Sequence, residues 1–252
     1  MAPSEIPKSV PPCVLISGAS SGIGFETARI YSANGYEVWL LGRSQKKLEL
    51  AAKELKGVTQ VFPCDLSDLR QVEQVGLNIL STMQGKPLKC LIHNAGFIKR
   101  AAFTESTPHE WEESFHVHVL GPVILTQKLL SLMYSVAPAY IVNVSSNLGI
   151  HPIAQTSSYS ASKAAMLNWT RSLALELAPQ KIHVNAIAPG IVETPIHGQW
   201  NDQMKNHMDQ LQPLERVGKA SEIARSIYFL GSEQSSWTTG SVLTVDGGIS
   251  LL

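Results

Sequence analysis

From Cys13 onward, short apolar runs alternate with longer amphipathic stretches, the rhythm of βα units feeding a parallel sheet. Val14, Leu15 and Ile16 form the first predicted strand. The glycine-rich turn from Gly18 to Gly24 then leads into a helix that should stop at Asn34-Gly35, residues that tolerate the left-handed conformation of a helix end. Val38 to Leu41 is the second strand. A helix capped by Ser44 carries Leu48, Ala52 and Leu55 on one face and ends before Gly57. Val61-Phe62 is a short third strand, Val72, Val75, Ile79 and Met83 share a helical stripe, and residues 88–92 make strand four. Thr107-Pro108-His109-Glu110 reads as a capping box with proline at the first helical position, opening a helix with Trp111, Phe115 and Val119 on it. Strand 140–144, a long helix 159–177, strand 182–187, helix 223–230 and strand 242–245 complete seven strands with no second composition regime. Between Pro195 and Pro213, the residues Trp200, Met204, Met208 and Leu211 fall at helical spacing. This segment reads equally as a lid over a site or as a surface helix.

Composition narrows the class. With 252 residues, 44% hydrophobic and 16% charged, the chain is globular, in one large or two small domains. Lys plus Arg and Asp plus Glu both number 20, so no basic excess exists to bind a phosphate backbone or an anionic membrane, and neither nucleic acid nor membrane is an expected partner. Cys13, Cys64 and Cys90 match neither a disulfide framework nor a zinc ribbon. They read as buried thiols in a reducing compartment, and no metal site is expected. Residues 1–12, with Pro3, Pro7, Pro11 and Pro12, read as a loose tail rather than a signal peptide, and no apolar run reaches the roughly 18 residues of a membrane span. A cytoplasmic protein is the expectation.

The chemistry begins at the first turn. Gly18 allows a tight turn, Gly22 lets the backbone approach a pyrophosphate, and Gly24 permits close packing, while the free N–H groups of the following helix hold negative charge. A dinucleotide fold places an acid about 20 residues on, at the end of the second strand, for the ribose hydroxyls of NAD. Here Gly42 and Arg43 stand there instead. Arg43 can fork onto a 2′-phosphate and Ser44 can add a hydroxyl, which favours NADP(H) and leaves NAD(H) as the alternative. Farther along, Tyr159 and Lys163 lie four residues apart on one face of a helix, and Ser146 follows strand five at the carboxyl edge where open α/β sheets bind ligands.

Gly18 to Gly24, His93-Asn94-Ala95-Gly96, Ser146, Tyr159 to Lys163 and Pro189-Gly190 occur in the order and spacing of the short-chain dehydrogenase/reductase family, which the chain resembles from about Cys13 to Gly248. The resemblance implies an α/β fold of one domain, residues 13–252: a doubly wound Rossmann-type sheet of seven parallel strands with helices on both faces. It implies that Tyr159 is the general acid in carbonyl reduction and base in alcohol oxidation, that Lys163 lowers its pKa and binds the nicotinamide ribose, and that Ser146 hydrogen-bonds the substrate oxygen. Asp65 resembles the adenine-binding acid, with a helix-capping acid as the other reading; Asn94 resembles the residue that packs the cofactor, or else a strand-end turn residue. Thr194 resembles the hydroxyl that orients the carboxamide. The cofactor set implied is Gly18, Ser20, Ser21, Gly22, Ile23, Gly24, Arg43, Ser44, Asp65, Leu66, Asn94, Ala95, Gly96, Tyr159, Lys163, Pro189, Gly190, Val192 and Thr194.

One position departs from the family. Aligned to Gly121, the place of an Asn whose backbone carbonyl holds a relay water is taken by His118. The relay persists, is weakened, or changes its pH dependence if the imidazole titrates near neutrality; the side chain otherwise merely packs. The substrate region by analogy draws on Phe97, Ile98, the loop with His151 and Ile153, and Trp200, together with Ser146 and Tyr159. Mostly neutral or apolar, these suit an uncharged carbonyl compound or alcohol. The expected function is an NADP(H)-dependent oxidoreductase acting on CH–OH groups, of carbonyl reductase type, assembled as a homodimer or homotetramer. Alternatives are an NADP(H)-binding redox sensor or scaffold without turnover, and an NAD-dependent alcohol dehydrogenase.

Overall fold

The computed structural model describes residues 11–83, 86–198 and 200–252. Most of the expected tail, residues 1–10, lies outside them. Seven parallel strands form one sheet: β1 (Cys13–Ser17), β2 (Glu37–Gly42), β3 (Thr59–Pro63), β4 (Leu88–His93), β5 (Ala139–Val144), β6 (Ile182–Pro189) and β9 (Val242–Val245), in the order β3-β2-β1-β4-β5-β6-β9. The central strands are buried on both faces because helices cover both, so they read as near-continuous Val, Ile and Leu. Alternate residues serve opposite layers. Val14, Ile16, Val38, Leu40 and Ile92 pack under α1 (Gly22–Ala33), α2 (Gln45–Lys53) and α8 (Ala220–Leu230). Leu15, Leu41, Leu91 and Ile141 pack under α3 (Leu69–Met83), α5 (Gly121–Tyr134) and α6 (Ser157–Leu177). Cys13, Cys64 and Cys90 are free, buried thiols in these layers.

Two expectations are refined. The helix opened by Thr107 is present but irregular: α4 (Pro108–Phe115), whose capping box is present, runs through a π turn (His116–Leu120) into α5. Residue i+4 from His118 is Pro122, which has no N–H to offer that carbonyl, and the widened turn carries the His118 side chain inward. The combined helix Pro108–Tyr134 is long and apolar enough to cross a membrane by composition, but Leu125, Leu129 and Met133 bury into the core. The second is a two-strand pair absent from the sequence reading: β7 (Val192–Glu193) with β8 (Gly218–Lys219). It ties together the two ends of the segment from Thr194 to Val217, whose helix α7 (Asp202–Gln210), capped by Asn201, buries none of its residues. Val217 N–H donates to Asp209 at 2.8 Å, a further anchor at the segment's base.

Candidate active site

The sheet reverses its winding between β1 and β4, and the loops leaving those two strands meet at its carboxyl edge. Gly18 sits at φ +65°, and a Cβ there would lie 2.7 Å from Ala95 Cα. A Cβ on Gly24 would collide with the Gly18 carbonyl oxygen and lie 2.5 Å from Asn94 Nδ2. Asn94 braces the turn: its amide donates to the Ser17 and Gly18 carbonyls at 3.0 and 3.2 Å, and its backbone N–H donates to Ser17 Oγ at 3.0 Å. Its side chain therefore supports the loop. Ser21 leads into α1 with no side-chain cap and no acid in the first turn, so the helix start keeps N–H groups and positive dipole for an anion. Gly22 faces Thr194 and Pro195, where a Cβ would lie 3.3 Å from Thr194 Cβ. The bare glycine backbone, the uncapped helix start and Arg43, exposed with no ion-pair partner among the described residues, fit a phosphorylated dinucleotide. Ser20 and Ile23 belong to the same turn, and Ser44 caps α2 by accepting from Lys47 N–H at 3.4 Å.

Farther along the edge, Asp65 accepts from the backbone and hydroxyl of Ser67 at 2.9 and 2.8 Å, while Asp68 rather than Asp65 receives the N–H groups of Arg70 and Gln71 at the start of α3. Helix capping is thus assigned to Asp68. Leu66 is buried in the core and offers only its backbone. Ala95 and Gly96 follow Asn94 in the loop. Pro189 ends β6, Gly190 packs against Asp246 too closely for any Cβ, Val192 is buried, and Thr194 donates to the Val192 carbonyl at 3.3 Å.

Ser146, Tyr159 and Lys163, drawn from two elements, converge here, all buried. Ser146 accepts from Leu148 N–H at 3.1 Å, holding the loop after β5. Lys163 Nζ donates to the Val144 carbonyl at 2.9 Å and lies 5.8 Å from the Tyr159 ring centre. Burial pushes Lys163 down to about 7. Burial also raises the Tyr159 phenol, against a smaller lowering by the Ser146 hydroxyl.

His118 is fully buried, and burial first, then the charge of Lys163, holds its imidazole well below the usual range. Of the readings open for this side chain, burial favours the one in which it packs over the one in which it titrates near neutrality. His151 and Ile153 lie on an exposed loop, Trp200 is half-buried, and Phe97 packs on His118 with ring centres 5.3 Å apart. Sequence reasoning missed Ser162, which pairs with His118 Nδ1 at 2.8 Å and donates to the Tyr159 carbonyl at 2.7 Å; its i+3 position after Tyr159 was the available signal.

This edge is that of an oxidoreductase, and the chain belongs to the short-chain dehydrogenase/reductase family. The profile of a family described as enoyl-(acyl carrier protein) reductase matches residues 18–250. The chain is 33% identical over 238 residues to the 3-oxoacyl-[acyl-carrier-protein] reductase of Thermotoga maritima, covering 93% of this chain and 96% of that one. It is 32% identical to nodulation protein G of Rhizobium sp. (strain N33), over 94% and 96% of the two chains. The 3-ketoacyl-(acyl-carrier-protein) reductase from Brucella melitensis complexed with NADH superposes with a TM-score of 0.88 at 30% identity, over 96% and 99% of the chains.

Proposed function

We propose that this chain is an NADP(H)-dependent reductase of ketones, running in reverse on secondary alcohols. The observation that carries the reading is the convergence of buried Ser146, Tyr159 and Lys163 beside the glycine turn. Burial keeps the phenol protonated, as a general acid in reduction requires, and Tyr159 gives that proton to the carbonyl oxygen while Ser146 O–H donates to the same oxygen. Lys163, at about 7, exchanges a proton near neutral pH and holds the nicotinamide ribose. Arg43 and Ser44 take the 2′-phosphate and the start of α1 takes the pyrophosphate. Asp65, the backbone of Leu66, the loop Asn94 to Gly96, and Pro189, Gly190, Val192 and Thr194 frame the rest. The cofactor supplies the hydride when bound. His118 acts through its neighbours rather than on the substrate.

The half-buried Trp200 and the exposed apolar Ile196 and Met204 suit a substrate with an uncharged, partly apolar arm bound under the segment that β7 and β8 tie down. Two of the relatives are ketoacyl reductases by name, so 3-oxoacyl thioesters head the carbonyl panel to be assayed with NADPH and NADH in competition. Expected are turnover with NADPH preferred, and a loss of at least about a hundredfold in Tyr159→Phe with NADPH binding kept, because a positioned acid contributes about 10² to 10⁴. Tight NADPH binding with no turnover on any carbonyl would establish the non-catalytic reading instead. A homodimer or homotetramer through the faces of α4–α5 and α6, where Leu175 is 81% exposed, is checked by light scattering.

A further inference from the structure

His118 has no exposed surface, yet both ring nitrogens are engaged. The backbone N–H of Phe97 donates to Nε2 at 3.3 Å, so Nε2 carries no proton. The ring's hydrogen therefore sits on Nδ1, which donates to Ser162 Oγ at 2.8 Å, and Ser162 passes its own hydrogen to the Tyr159 carbonyl at 2.7 Å. The imidazole stands edge-on to the Tyr159 ring, centres 5.4 Å apart and planes at 89°. On its other side, the loop after β4 is pressed close: a Cβ on Gly96 would lie 3.2 Å from Nε2 and 3.5 Å from Lys163 Nζ.

We infer that His118 is a positioning residue of this site: an Nδ1–H imidazole that joins the loop after β4 to the catalytic helix α6 and sets the Tyr159 ring at its edge. The inference rests on the role of Tyr159 proposed above. Two elements with different tasks meet on one ring, the loop bordering cofactor and substrate and the helix carrying Tyr159 and Lys163. The titratable groups that face it are Lys163 and Tyr159, both from α6. A proton on Nε2 would set N–H against the N–H of Phe97, and a charged ring would stand buried beside Lys163. The arrangement also accounts for a histidine here. An asparagine amide reaches the place of Nδ1 and a glutamine amide that of Nε2, so either holds one neighbour, whereas the imidazole holds both.

The test joins a spectrum to a kinetic series. In histidine-labelled protein, long-range proton–nitrogen correlation should show His118 as the Nδ1–H tautomer with no titration between about pH 6 and about pH 9. An Nε2–H or titrating ring overturns the inference. His118→Asn, which keeps a donor for Ser162 but releases the loop, should act mainly by raising KM for the carbonyl substrate. His118→Gln, which keeps an acceptor for Phe97 but releases α6, should act mainly by lowering kcat. His118→Phe should lower kcat by about tenfold to a hundredfold, the effect of a small misplacement of the acid. Wild-type constants in His118→Phe, or equal losses in all three variants that merely track the loss of folded protein by Tm, overturn it too. If the wild type shows no turnover that depends on Tyr159, the functional reading falls by itself, and the tautomer spectrum still decides the placement of His118.

Discussion

The proposed preference for NADP(H) rests on one side chain at a strand end, Arg43. It stands after Gly42 at the end of β2, exposed, where a carboxylate would repel a 2′-phosphate. Arg43→Ala should weaken NADPH binding by about tenfold, the loss of one charge-assisted contact, and leave NADH binding near the wild-type value. Fluorescence titration of both cofactors checks this; equal weakening of the two would argue that Arg43 does not meet the phosphate. Such chemistry is legible in a sequence because it depends on residue type at a strand end. Tyr159 and Lys163 are legible for the same reason, four residues apart on a helix. What their spacing could not tell is that both are buried, so that the amine falls to about 7 while the phenol rises.

At the scale of elements, helix starts and central strands follow from local rules, and the exceptions have local causes. Thr107 accepts from Glu110 N–H at 3.3 Å and Glu110 returns a bond to Thr107 N–H at 3.0 Å, as the four-residue pattern predicts. Strand β3 runs two residues earlier than Val61 and one past Phe62 because, as an edge strand with only Phe62 buried, it lacks the apolar signal of its neighbours. The π turn stayed hidden because Trp111, Phe115 and Val119 satisfy an unbroken helical period, and Pro122 was the one mark against it. The glycine turn offers the sharpest test. Gly24→Ala would drive a methyl into the Gly18 carbonyl and the Asn94 amide. It should cost about 1–3 kcal/mol of stability, the range for overpacking, and abolish dinucleotide binding. Chemical denaturation together with NADPH titration measures both; an unchanged Kd would sink the role given to the turn.

For the molecule as a whole, Lys163 links the site to folding. Its folded pKa of about 7 lies below the ordinary lysine value of 10.5, so burying the ammonium costs stability at low pH. The sign follows: the cost is absent well above the unfolded pKa, grows as pH falls through it, and is complete below the folded value of about 7. Lys163→Met should therefore raise Tm, and by more near pH 6 than near pH 10, while activity is lost. Thermal melts of both proteins across that range check the prediction; a gain that is the same at every pH would remove the burial explanation. The parallel α/β class, most element positions and the glycine, Ser, Tyr and Lys constellation were determined by the sequence itself, because periodicity, turn chemistry and residue type act over a few neighbours. The protonation of Lys163 and Tyr159, the burial of His118 between Phe97 and Ser162, and the tie of β7 to β8 were decided only by the tertiary structure. Desolvation and hydrogen-bond partners come from residues far apart in the chain, and only the fold brings them together.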